Sequence, residues 1–143
     1  MARKKKPQIT IENLHIDDFA SEGKCVTRHN DKVIFVQNAA PGDVVDIQIT
    51  RDKKSYAEGK AVKFHKRSEK RIEPFCSHYG ACGGCKWQHL SYEAQTRFKQ
   101  KTVLDALERL GHVNVSGAEP ILGSAETQYY RNKLEFTFRT NVG

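Results

Sequence analysis

The sequence predicts a mainly β chain with one helix. A small five-stranded barrel comes first, then a cysteine-rich loop, the helix and the start of a second β-rich region. Three observations carry this reading. Short apolar runs broken by turn residues extend from Gln8 to about Phe64, three cysteines fall between residues 76 and 85, and one long segment with helical apolar spacing follows them.

The barrel is read strand by strand. Ile9 and Ile11 alternate with polar neighbours, as do Leu14 and Ile16. Val33 to Val36 form an apolar run after the turn His29-Asn30-Asp31. Pro41-Gly42-Asp43 is a second turn, after which Val45, Ile47 and Ile49 alternate with Asp46 and Gln48. A last strand runs from near Tyr56 to Phe64. Short strands at this spacing suit a small barrel that is closed or nearly so, and an OB-like barrel fits the length. Periodicity does not separate it from an SH3-like one.

Residues 1–7 read as a basic disordered tail, 8–66 as the barrel, 67–75 as a charged linker, and 76–143 as the cysteine segment and the beginning of a further domain. The helix is predicted from near Ser91, a capping residue, to a stop at Gly111, with Val103, Leu107 and Leu110 on one face and Leu104 beside them. From Tyr129 a strand begins in which Leu134, Phe136 and Phe138 alternate with polar residues. Such a strand needs partners, and the chain ends five residues later, so the sequence predicts a piece of a larger protein.

Composition narrows the function. At 143 residues and 38% hydrophobic, the chain is lean for a single large core. No stretch is long and apolar enough for a membrane span, and no apolar region follows the basic N-terminus as in a signal peptide, so a cytoplasmic protein is expected. The net charge is +7, with nine basic residues between Arg51 and Arg71 against Asp52, Glu58 and Glu69. Concentrated positive charge suits a polyanion, because each neutralised phosphate releases counterions; a solvated, solubilising face is the competing reading. Lys53, Lys54, Lys63, Lys66 and Arg67 are the candidate phosphate contacts, joined by Arg131 and Lys133 beside the last strand. No obligate protein partner is expected.

The chemistry sits in Cys76-x5-Cys82-Gly83-Gly84-Cys85. Two thiolates spaced by two residues bind one metal centre from a single turn, and glycines let the backbone wrap close to it. Three thiolates are one short of a full set for an iron–sulfur cubane or an all-cysteine zinc site. Cys25, His78, His89 or a residue outside this chain are the candidates for the fourth place, although Cys25 also reads as a small core residue. Spacing does not separate iron from zinc. Trp87 is read as filling core beside the cysteine loop, with base stacking as the alternative, and Tyr129 and Tyr130 are open in the same way.

At these residues the chain resembles a known family. The string PFCSHYGACGGCKWQHLSYEAQTRFKQKTVLDALERLG is similar to the iron–sulfur segment of RNA uracil-C5 methyltransferases, in their 23S ribosomal-RNA branch. GKCVTRHNDKVIFVQNAAPGDVVDIQIT resembles a TRAM domain, a small RNA-binding barrel, and YYRNKLEFTF resembles the start of that family's central domain. The resemblance implies a [4Fe–4S] cluster on Cys76, Cys82 and Cys85, with its fourth cysteine further along the central domain. It also implies S-adenosylmethionine and a catalytic cysteine in a C-terminal domain, so this chain alone is expected to be inactive and no catalytic residue is assigned in it. RNA, 23S ribosomal RNA foremost, is the implied partner. Arg131 and Lys133 match the family's RNK run, and Gln88-His89 a QHL run that reads as packing the cysteine loop against the helix.

Two other readings remain. One is a stand-alone RNA-binding module with zinc on Cys76, Cys82, Cys85 and His89. The other is a methylthiotransferase, against which the order of segments argues, since the barrel there lies at the C-terminal end. A radical S-adenosylmethionine enzyme requires C-x3-C-x2-C, which the five-residue gap excludes.

Overall fold

The structure, a computed structural model, describes residues 9–130. The tail at 1–7 lies outside the described residues, as does the strand expected from Tyr129 in all but its first two residues, with Arg131 and Lys133; Tyr129 and Tyr130 are exposed and not in a strand. Six strands form one sheet: β1 (Thr10–His15), β2 (Asp18–Phe19), β3 (Cys25–His29), β4 (Lys32–Gln37), β5 (Val44–Asp52) and β6 (Tyr56–Lys66). Helix α1 spans Tyr92–Arg109. The chain is mainly β with a single helix among the described residues, as its sequence predicts. None of its helices there is long and apolar enough to cross a membrane.

The strand order is β1-β5-β6-β4-β3-β2. Every pair is antiparallel except β4 with β6. β1 and β2 lie at opposite ends of this order but are separated in sequence only by Ile16 and Asp17. One segment, broken at those residues, therefore pairs with β5 before the break and with β3 after it. Hydrogen bonds hold the break: Ile16 N donates to Asp43 O (2.9 Å), Gly42 N to Ile16 O (2.9 Å) and Asp17 N to Val26 O (3.1 Å). The expected count of five strands becomes six because this first strand is split.

The local chemistry explains the turns. Asn30 and Asp31, both at positive φ (48° and 61°), join His29 to its partner Lys32. A two-residue loop with both positions left-handed matches the twist of its flanking strands, and Asn and Asp tolerate that region. Asn13 (φ 56°) marks an irregularity in β1 and sends its amide to Asp46 Oδ1 (3.0 Å).

The core lies inside the curled sheet. Ile16, Cys25, Ile34, Val36, Val45 and Ile47 are essentially sealed from solvent, with Ala39, Ala57 and Ala61 between them. Gly59 allows β5 and β6 to approach: a Cβ there would lie 2.6 Å from Ile47 Cγ2 and 2.8 Å from Gln48 O. Asp46, which strict alternation assigns to the outer face, is buried. The Asn13 amide, and then the His65 ring (2.6 Å), hold its carboxyl below the ordinary carboxylate range.

Ser91 caps α1, its hydroxyl accepting from Ala94 N (3.2 Å). The buried face of the helix differs from the one its periodicity suggests. Ala94 and Phe98 are buried, whereas Val103, Leu107 and Leu110 are exposed. The apolar stripe of the first turns is the one the barrel meets: the Phe98 ring lies 3.9 Å, centre to centre, from Phe19, and Lys101 reaches Asp18 at 3.0 Å.

Candidate nucleic-acid face and cysteine loop

The basic residues divide into groups along β6. Lys53 and Lys54 are exposed in the turn that enters it, where Lys53 N donates to Tyr56 O (2.9 Å). Lys63 and Lys66 are exposed toward its other end, with Arg67 just beyond, its guanidinium 5.3 Å from the Phe64 ring centre. At about 3.3 Å per residue, the two groups stand on the order of 30 Å apart along the strand. The structure does not gather them into one patch.

Arg71, the last of the basic run, points inward. Its guanidinium sits 4.7 Å from the Phe64 ring centre and grips Asp43, with Nε–Oδ1 at 2.9 Å and Nη2–Oδ2 at 2.6 Å. Burial pushes the Asp43 carboxyl up, but Arg71 and the amides of Ser68 (2.8 Å) and Ala40 (2.7 Å) outweigh it and leave the group below its ordinary range. The segment at 67–75 is charged and irregular yet firmly attached. Ser68 is buried, with its hydroxyl on Pro41 O (2.7 Å), and Arg71 bridges to Leu90.

The cysteine loop is built from tight turns on this base. Tyr79 N donates to Cys76 O (3.0 Å), Cys82 N to His78 O (3.0 Å), and Cys76 N to the Gln88 side-chain oxygen (3.0 Å). Gly80 and Gly83 sit at φ 86° and 73°, left-handed backbone that favours glycine. Cys76 is half-buried, Cys82 and Cys85 are exposed, and none of the three is in a disulfide among the described residues. Among the described residues, no group of three or more His, Cys, Asp or Glu side chains is arranged to hold a metal.

The other proposed donors have different roles. Cys25 lies in the barrel core with Sγ donating to Ala39 O (3.1 Å), and burial pushes its thiol up to about 12. His89 is buried and engaged at both ring nitrogens: Nε2 donates to Ala39 O (3.2 Å), and Nδ1 lies against the Tyr79 hydroxyl, which also donates to Lys86 O (2.9 Å). His78 is exposed, its Nδ1 3.4 Å from Ser77 Oγ. Trp87 is half-buried, with its ring 5.2 Å from that of Phe19. Sequence reading missed Tyr79 as the group that ties the loop to His89, and missed Asp43 as the acceptor of Arg71. No short-range pattern links positions 28 residues apart.

The comparison that decides the barrel's identity covers residues 7–62, which match the TRAM domain family. The barrel is a TRAM domain. Beyond the TRAM barrel, the chain is similar to RNA methyltransferases. It is 60% identical over 119 residues to an uncharacterized RNA methyltransferase of Bacteroides thetaiotaomicron, covering 83% of this chain and 26% of that protein. It is 50% identical over 125 residues to one from Porphyromonas gingivalis, at 87% and 27% coverage. A 23S rRNA (uracil(1939)-C(5))-methyltransferase RlmD of Legionella pneumophila is 42% identical over 139 residues, 96% of this chain and 31% of the relative. The chain thus spans between a quarter and a third of the length of these relatives.

Proposed function

We propose that this chain is the RNA-binding and iron–sulfur front part of an S-adenosylmethionine-dependent 23S rRNA uracil-C5 methyltransferase, a cytoplasmic enzyme whose catalytic domain belongs to the rest of the longer protein. The observation that carries this reading is the 42% identity to the RlmD methyltransferase, which runs through both the TRAM barrel and the cysteine loop. A barrel with a strongly cationic strand supports RNA as the partner. Methyl transfer and S-adenosylmethionine binding are assigned outside these residues.

The donor set fits an iron–sulfur cluster in its chemistry. Cys76, Cys82 and Cys85 would hold it, since soft thiolates select such clusters or zinc. When bound, the cluster would supply a cross-link that orders a loop with little core of its own. The engagement of both His89 nitrogens speaks against the zinc reading with His89 as fourth ligand, and sealed Cys25 is no better placed. The fourth thiolate is therefore assigned outside the described residues.

The test is metal content and visible absorption of the protein expressed from the complete gene and purified without air. Near-stoichiometric cubane iron with broad absorption, abolished by Cys82→Ser, together with uracil-C5 methylation of 23S rRNA, is the expected result. A colourless protein with one zinc would overturn the cluster assignment. Iron without RNA methylation would overturn the substrate.

A further inference from the structure

The TRAM barrel carries an aromatic pair that the core does not use. Phe35 on β4 and Tyr56 on β6 approach edge to face, with ring centres 5.9 Å apart and planes at 71°. Their strands run parallel, with Val33 opposite Tyr56 and Phe35 opposite Glu58. Successive side chains of a strand point to opposite faces. Ile34, Val36 and Ala57 are buried in the core, so Phe35 and Tyr56 belong to the outer face, where both are half-buried.

The charge around them is one-sided. On the face of the pair, Arg28 of β3 and Lys60 of β6 stand against one carboxylate, Glu58, whereas Lys32 shares the opposite face with Ile34 and is taken up by Asp52 (2.6 Å). Glu58 is itself neutralised by Lys24 (3.3 Å) and Arg51 (4.0 Å). Arg28, opposite Val33, and Lys60, opposite Gln37, are exposed on either side of the pair, and Lys53 and Lys54 stand in the turn just before Tyr56. Rings on a sheet face with cations on both flanks are what a single-stranded nucleic acid requires: π-faces for its bases and positive charge for its phosphates.

We propose that the outer face of β3, β4 and β6 is a stacking platform for unpaired RNA bases, with Phe35 and Tyr56 as the rings and Arg28 and Lys60 as phosphate contacts. The proposal rests on the RNA-binding reading and adds to it which form of RNA is held, and where. A pair that served only as a cross-strand contact would stabilise the sheet without touching RNA.

The test titrates the full chain against a single-stranded RNA oligonucleotide carrying 2-aminopurine, over a range of salt. Wild-type protein is expected to bind and to quench the 2-aminopurine. Tyr56→Leu and Phe35→Leu should each weaken binding roughly tenfold, with the salt slope unchanged. Tyr56→Phe, which keeps the ring, should retain affinity. Arg28→Gln and Lys60→Gln should each lower the slope by about 0.7, the contribution of one single-strand phosphate. Melting curves identify any variant that has lost its fold. Wild type that binds without quenching, or a folded Tyr56→Leu with unchanged affinity, overturns the platform and leaves RNA binding standing. Wild type that binds no RNA at all overturns both.

Discussion

Arg71 grips the fully buried carboxylate of Asp43 with two nitrogens, Nε and Nη2, and places the latter also 3.0 Å from Asn38 O. The pair joins the β4–β5 turn of the barrel to the segment that leads into the cysteine loop. Removing one partner leaves the other charge buried without compensation. Asp43→Asn is therefore expected to cost about 3 kcal/mol in urea unfolding. Arg71→Lys should cost a substantial part of this, since an ammonium cannot reproduce the planar fork. An unchanged midpoint for Asp43→Asn would show that the pair contributes nothing.

Acid should act in two steps. Burial above all lowers the pKa of His89 from its ordinary 6.5, so the folded state holds the ring neutral while the unfolded chain takes up a proton. That contribution is complete above pH 6.5 and is lost as pH falls below it. Asp43 and Asp46 are held below 3.8, so their contribution is complete above that value and fades as pH falls further. Melting temperature against pH should be flat above 7, decline below 6.5 and decline again below about 4. His89→Gln should remove the first decline and spare the second.

Two glycines should respond differently. Gly59→Ala drives a methyl group against Ile47 and the Gln48 carbonyl, and overpacking of this kind costs about 1–3 kcal/mol. At Gly80 a Cβ meets nothing within 4 Å, so Gly80→Ala is opposed only by its left-handed backbone, at about 1–2 kcal/mol. Chemical denaturation of the barrel should shift for the first. Amide exchange confined to the cysteine loop should report the second.

Phe98→Ala should release the helix from the barrel. The ring is buried against Phe19, and truncating a buried Phe costs about 3–5 kcal/mol. Leu110→Ala, on the exposed end, should cost little. Hydrogen exchange along α1 would distinguish them: rapid exchange in Phe98→Ala and near-native protection in Leu110→Ala.

The elements that depend on neighbouring residues were legible in the sequence. Asn30-Asp31 dictates a tight turn, Val45-x-Ile47 a half-buried strand, and Ser91 the start of the helix. What depends on distant pairing was not. Arg71 reads as one more cation in a basic run until the fold brings it to Asp43. Asp46 obeys alternation on paper, yet is buried by Asn13 and His65, which come from two other strands. Two apolar stripes compete along α1, and only the position of Phe19 decides that Phe98 wins over Leu107. The three loop cysteines were visible from their spacing, whereas the double engagement of His89 needed a carbonyl fifty residues earlier.

The break at Ile16–Asp17 makes the first ten residues of the sheet a clasp. Without Thr10–Phe19, both β3 and β5 would present a bare edge, and unpaired edges invite another chain. Copies cut after Phe19 would pair their bare edges with one another, and the same ten residues supplied as a free peptide would restore a monomer.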